Sequence, residues 1–488
     1  MDFKNIKYAY FLGIGGIGMS AIARYFNHLG IKVYGYDKTE TDLTNELINE
    51  GIEIHFEDLG NKISNFQHQT SNTLVVLTPA IPKDHEEWKW YRENNFTIMK
   101  RSQVLGLITD QYKTIGVAGT HGKTTTSTLI AHILKQSKLD CAAFLGGIST
   151  NYHSNLLLHK FTDHSLPTDQ AGSQITGKTV NRQPSTENQL MVVEADEFDR
   201  SFLTLHPAIS IITSTDADHL DIYGKHEELK KSFFDFASQC RETLIIKKEL
   251  DLVETYNYTS PQKKCKTYSI ITEADFFADN IRIIGDQYFF DLHFDDTILK
   301  DLYLGIPGLH NVENAVAAST ASIIAGVSDE ELRNALASFT GVKRRFEYII
   351  KNEKQIYIDD YAHHPEELRA TISSVKKMYH DKKITAIFQP HLFTRTRDFV
   401  DGFAESLSLA DDVLLLDIYP ARELPIEGIT SEIILNKMTN TNNMLCSKKD
   451  VLEIIKNKKP EVLLTLGAGD IDQLVSPLKK ILDNLMMK

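Results

Sequence analysis

The sequence predicts an α/β chain of three units, and three observations carry that prediction. Short apolar runs alternate with helical patterns from one end to the other. Twice, at Phe11–Ser20 and at Gly119–Thr126, a glycine-rich turn separates an apolar run from a helical one. After GVKRRFE a third series of apolar runs begins, each ending in a polar loop or a helix. Strands alternating with helices call for mostly parallel sheets covered by helices on both faces. The expected division is 1–108, 109–342 and 343–488.

In the first unit the run YAYFL leads into FLGIGGIGMS and then the helical MSAIARYFNHLG. Gly13, Gly15 and Gly18 hold the G-x-G-x-x-G spacing, in the strand-to-helix setting of a dinucleotide fingerprint. IKVYGYD reads as a strand ending at Asp37, about where such a fold keeps a ribose-binding acid. The helical DLTNELINEG and the buried strand NTLVVLTPAIP complete the pattern.

The second unit opens with KTIGVAG, turns through GTHGK and continues as the helix TTTSTLIAHILKQ, with one apolar face. Further strands are expected at QLMVVEAD, AISIITST and ETLIIKK, and helices at GLHNVENAVAASTASIIAG and SDEELRNALASF. The stretch 159–189 is polar, aperiodic and rich in Ser, Thr, Gln, Pro and Gly; it reads as a surface insertion. The third unit holds QIYIDDYAHHPEEL, KITAIFQPHLF, DDVLLLDIYP and EVLLTLGAGD.

Composition narrows the function classes. A chain of 488 residues exceeds one ordinary core. It is 42% hydrophobic with no apolar run of about 18 residues, which argues against membrane insertion. The net charge of −13, without a basic block, argues against a nucleic-acid track. Cys141, Cys240, Cys265 and Cys446 form no C-x-x-C pair, which suits reduced thiols, and no export signal is visible. The expected location is cytoplasmic.

The segment Gly119, Thr120, His121, Gly122, Lys123, Thr124, Thr125 carries the strongest chemistry. A glycine-rich turn at a helix start aims backbone N–H groups at phosphate oxygens. Lys123 can reach terminal phosphates and the Thr124 hydroxyl can ligate Mg²⁺. The strict pattern wants glycine at 117, where this chain has Val117. Glu194, Asp196, Glu197 and Asp199 follow an apolar run, the place where open α/β sheets bind ligands; a solvated acidic loop is the alternative. His219 stands between Asp218 and Asp221, as a metal ligand or a surface residue. His363 and His364 are adjacent, so on a strand they would diverge, which argues against a two-histidine zinc site. His391, Arg395 and Arg397 form either an anion site or an ion-paired loop.

Taken together, GIGGIGMS, the TPAI segment, GTHGKTTT, EADE, DHLDIY, GLHNVENA, RRFE, DDYAHHPEE, QPHLFTRTRD and GAGD resemble the motif series of the Mur ligases. These are the ATP-dependent amino-acid ligases of peptidoglycan precursor synthesis. The resemblance covers the whole chain in order. It implies a Rossmann-like first domain for a UDP-sugar, a central P-loop ATPase-like domain and a Rossmann-like third domain. GIGGIGMS favours the members that join L-alanine to the lactyl carboxylate of UDP-N-acetylmuramate through an acyl phosphate, with ATP and Mg²⁺. The UDP-sugar site implied is Gly13, Gly15, Gly16, Ile17, Gly18, Met19, Ser20, Asp37, Thr78, Pro79, Ala80 and Arg101. The ATP site implied is Gly119 to Thr125 with His310, Asn311, Asn314, Arg345 and Asp360. Thr124, Glu194 and His219 are the implied magnesium ligands. Lys123, Glu194, His219, Arg345 and His363 are implied to be catalytic. Tyr361, His363, His391 and Arg395 are implied to receive the amino acid.

The sequence departs from the family pattern twice. Several members carry a carbamylated lysine where this chain places Phe234, and PHLFTRT has Leu392 where PHRYTRT is common. Two other activities compete. A sister ligase joins murein tripeptide to the same sugar, and an NAD-dependent oxidoreductase would use the first glycine loop but leave the second without a purpose.

Overall fold

The computed structural model describes residues 3–65, 70–160, 189–218, 220–259, 264–421, 423–440 and 442–486. His219 and the 161–188 part of the expected insertion lie outside the described residues. Among the described residues the strands form three sheets, and no helix is long and apolar enough to cross a membrane.

The first sheet holds β1 (Tyr8–Leu12), β2 (Lys32–Tyr36), β3 (Glu53–His55), β4 (Thr73–Leu77) and β5 (Thr97–Lys100), in the order β3-β2-β1-β4-β5. Every pairing is parallel. Its central strands are buried almost throughout, as parallel strands covered on both faces must be. The helix Ile17–His28 starts directly after the glycine loop, with Gly16 as its cap.

The central sheet is larger and mixed. It contains β6 (Lys113–Ala118), β7 (Ala142–Ser149), β8 (Ser154–Leu157), β9 (Leu190–Glu194), β10 (Ile209–Ile212), β11 (Thr243–Lys247), β12 (Lys264–Ser269), β13 (Phe276–Ile284), β14 (Gln287–Phe294) and β15 (Thr297–Leu304). Their order is β15-β14-β13-β12-β11-β10-β6-β9-β7-β8. The parallel strands run from β7 to β13, while β8 and the β13–β15 meander are antiparallel additions at the two ends. The helices Lys123–Gln136 and Leu309–Ala325 pack together and are buried along most of their length.

The third sheet holds β16 (Glu347–Lys351), β17 (Ile356–Asp360), β18 (Ile384–Phe388), β19 (Asp412–Leu415), β20 (Asn442–Leu445) and β21 (Val462–Leu466). The order is β16-β17-β21-β18-β19-β20, with only edge strand β16 antiparallel. Apolar packing continues across the units. One cluster links the first and central sheets, and another links the central helices to one face of the third sheet. The adjacent histidines prove not to lie on a strand. His363 is in the loop after β17 and His364 caps the helix Pro365–Met378. Proline after His364 drives this, because it fixes the first helical position and ends the extended run.

Candidate functional site

Two cavities lie at the C-terminal ends of the parallel strands. The first, about 660 Å³, is walled by Gly16, Ile17, Gly18, Met19, Thr78, Pro79, Ala80, Lys100 and Arg101, with Phe144–Gly146, Glu194, Asp196 and, from the third unit, Tyr419 and Ala421. Gly13, Gly15, Ser20 and Asp37 do not line it. Asp37 Oδ2 instead accepts the Gly15 N–H at 2.7 Å, so this carboxylate stiffens the glycine loop. Ser20 is buried and accepts from Asn155 Nδ2 at 2.9 Å. Asn155 also donates to the Ile17 carbonyl at 2.7 Å and accepts from Arg24 at 2.7 Å, which ties the start of the helix to the central unit.

The second cavity, about 510 Å³, is walled by Thr120–Thr125, Glu194, Asp196, His310, Asn311, Asn314, Arg345, Asp360, Tyr361, His363 and Glu367. Gly119 does not line it, but its carbonyl accepts from Lys123 Nζ at 2.6 Å. Gly122 has φ +81° and an ideal β-carbon there would lie 2.5 Å from Asn314 Oδ1, so only glycine fits between the loop and the helix Leu309–Ala325. Lys123 Nζ also donates to Glu197 Oε1 at 2.8 Å. Burial opposes the Lys123 charge, yet Glu197, Glu194 and Asp196 outweigh it and hold the ammonium protonated. Burial pushes Glu197 up to about 7 and raises Glu194 as well.

Glu194 Oε2 is buried without a hydrogen-bond partner, beside the buried Thr124. Among the described residues no group of three or more His, Cys, Asp or Glu side chains is arranged to hold a metal ion.

The third unit contributes a charged wall. Arg345 stacks on Tyr361, 4.9 Å from the ring centre, and its Nη1 lies 3.7 Å from Glu367 Oε1. Glu367 accepts from the His363 N–H at 3.0 Å and faces His121 Nδ1 at 3.4 Å. Burial raises the Glu367 carboxyl, but the hydrogen bonds it takes from the His363 N–H and the His121 ring, with the charge of Arg345, overcome it and hold the group well below its ordinary range. Burial drives His363 down to about 3 and His310 to about 4, so both are neutral. Burial lifts Asp360 to about 6 against the bond from the Thr371 hydroxyl.

His391 and Arg395 line neither cavity wall but stand behind the second one. The rings of His391 and His363 are 6.0 Å apart, and Arg395 pairs with Asp218 at 2.6 Å with both side chains buried. Arg397, exposed and paired with Asp398, points elsewhere. Glu197 stands in the sequence only as one of four acids at a strand end, and Glu367, Asn155 and Gly146 are not singled out there. Glu367 had a local signal: it sits three residues after a helix cap, the capping-box position. The others come together only through the fold.

The chain matches the family models described as "Mur ligase family, catalytic domain" over residues 8–113, "Mur ligase middle domain" over 117–322, and "Mur ligase, glutamate ligase domain" over 344–469. It is 49% identical over 485 residues to a UDP-N-acetylmuramate–L-alanine ligase of Flavobacterium johnsoniae, covering 99% of each chain. It is 47% identical over 487 residues to the enzyme of that name from Phocaeicola vulgatus, covering 99% of this chain and 100% of the other. Among solved structures, a UDP-N-acetylmuramate–alanine ligase from Thermotoga maritima aligns with a TM-score of 0.77 at 26% identity, covering 99% of this chain and 100% of that one. With such likeness over essentially its whole length, this chain belongs to the Mur ligase family.

Proposed function

We propose that the chain joins L-alanine to the lactyl carboxylate of UDP-N-acetylmuramate at the expense of ATP, a step of peptidoglycan precursor synthesis. One observation carries the reading: the two cavities share Gly146, Glu194 and Asp196 as common wall. A UDP-sugar held in the first cavity can extend its carboxylate to that wall, and a nucleotide held in the second can extend its terminal phosphate to the same place.

The chemistry follows from what a carboxylate lacks. Its leaving group would be oxide, so an amine cannot displace it. Attack of the carboxylate oxygen on the γ-phosphorus, with ADP leaving, turns that oxygen into part of a good leaving group. The alanine amine then adds to the acyl carbon, and phosphate departs with one former carboxylate oxygen. The first step brings anion against polyanion, and Lys123 and Arg345 face the second cavity to offset that repulsion. In this reading Thr124 and Glu194 hold Mg²⁺, with His219 as a further proposed ligand, and the ion neutralises phosphate charge when bound. Neutral His363, with Tyr361, His391 and Arg395 about it, is the proposed receiver of the amino acid. His310, Asn311, Asn314, Arg345 and Asp360 are the proposed nucleotide contacts beside the phosphate loop. Gly16–Met19, Thr78–Ala80 and Arg101 are proposed to hold the UDP-sugar. We place the domain limits near 108 and 342 and the enzyme in the cytoplasm.

Purified protein with ATP, Mg²⁺ and UDP-N-acetylmuramate should release phosphate on addition of L-alanine. Release only with murein tripeptide would move the assignment to the recycling ligase. A nicotinamide absorbance change without ATP turnover would overturn the ligase reading.

A further inference from the structure

Gly146 and Gly147 occupy the stretch where β7 leaves its sheet. Residues Ala142–Phe144 pair with β9, and the β7–β8 register breaks between Phe144 and Ser149. Beyond the break, the Ile148 carbonyl accepts from the Lys343 N–H at 2.9 Å and Ser149 bridges to Val342. Val342 in turn accepts from the Arg345 N–H at 3.1 Å. The glycine pair thus lies between the shared wall of the two cavities and the segment that carries Arg345.

A side chain has no room at either position. An ideal β-carbon on Gly146 would lie 2.5 Å from Glu194 Oε1 and closer still to its Cδ and Oε2. On Gly147 it would lie 2.7 Å from Val342 Cγ1 and 3.1 Å from Thr124 Cγ2. Neither glycine has a positive φ, so backbone conformation does not demand them. Both cavity linings include Gly146, which is exposed to them. The missing side chain leaves the Glu194 carboxylate free to face the junction and keeps the junction open.

We propose that Gly146 and Gly147 are positioning residues that form the passage between the two substrate cavities: Gly146 sets the aim of Glu194 and Gly147 the seating of Thr124 against the Arg345 segment. The proposal rests on the functional reading above, and it assigns a role to backbone that touches no reacting atom.

The test is Gly146→Ala, read against wild type. The clash is confined to the end of a flexible side chain, so the variant should fold, with a melting temperature near that of wild type. Its kcat should fall about 100-fold, the scale expected when reacting groups are misplaced by about 1 Å. Its affinities for UDP-N-acetylmuramate and for metal-free ADP, each measured by calorimetry, should stay within about threefold, since each cavity is otherwise intact. Because both changes act through one carboxylate, the double variant Gly146→Ala/Glu194→Asp should lose little more than Glu194→Asp alone. A kcat within fivefold of wild type, fully additive losses, a tenfold loss of either binary affinity or failure to fold would each overturn the proposal. Wild-type turnover with L-alanine tests the functional reading separately, and the binary affinities test the glycines whatever the outcome of that assay.

Discussion

The molecule contains two glycine loops of similar outline, and their differences explain what each is for. Both link a parallel strand to a helix. At the first, Asp37 occupies the Gly15 amide, the helix cap Gly16 is extended, and the nearby charges are Lys100 and Arg101, with Arg101 paired to Asp196 at 3.1 Å. At the second, the cap Gly122 is left-handed and Lys123 pairs with the buried Glu197, with Glu194 and Asp196 near it. Around that second loop Glu197 titrates near 7, Asp360 near 6, His310 near 4 and His363 near 3, all displaced first by burial. Strongly displaced ionisable groups gather where charge must be handled during reaction. On the proposed reading the first loop holds a ligand and the second reacts with one.

Mutation should separate the two. Lys123→Ala is expected to have the largest effect, lowering kcat by about 10²–10³, as loss of a preorganised charge does. The fold should survive, because burial already raises Glu197 and it can take up a proton once its partner is gone. Near-normal turnover in steady-state assays would erase the distinction between the loops. Arg101→Ala should act through KM instead, raising that for UDP-N-acetylmuramate about tenfold for one lost charge-assisted contact of about 1.5 kcal/mol, with kcat nearly kept. A fall in kcat with unchanged KM would mean that the first loop takes part in chemistry.

The smallest effect concerns stability against pH. Burial depresses His132, His310 and His364 to about 4 and His363 to about 3. In the unfolded chain these groups take up protons near pH 6.5, while the folded protein refuses them. The unfolded state therefore binds more protons between about pH 6.5 and 4, and stability falls as pH is lowered through that window. Glu197, between its ordinary 4.5 and about 7, and Asp360, between its ordinary 3.8 and about 6, work in the opposite sense and cost stability as pH rises, as does the raised Glu194, so they offset part of what the four histidines contribute. Thermal melts at pH 7.5 and 5.5 should show a lower midpoint at 5.5, and His310→Gln should reduce the difference. A midpoint independent of pH would contradict neutral burial of these rings.

Much of this was legible in the sequence, for physical reasons that vary along the chain. The strands flanking both glycine loops announce themselves as continuous apolar runs because they are buried on both faces. The β13–β15 meander is less plain in the sequence: FFADNIRII, QYFFDLHF and TILKDLYL are joined by the two-residue turns Gly285–Asp286 and Asp295–Asp296, of which only the first, led by glycine, is an ordinary hairpin signal. Lys123, Glu194 and Arg345 come from local motifs and converge on one cavity. Their supports do not, since the Glu367–His121 and Arg395–Asp218 contacts join residues 246 and 177 positions apart. Ser20 and Asp37 show the reverse: a motif names the loop but not which of its members line the cavity.

The central claim is that a carboxylate from one cavity attacks a phosphate from the other at the Glu194 wall. Turnover of UDP-N-acetylmuramate carrying oxygen-18 in both lactyl carboxylate oxygens tests it most directly. The account predicts one labelled oxygen in each phosphate released and the other retained in the new amide. Phosphate free of label, formed in step with the product, would contradict it.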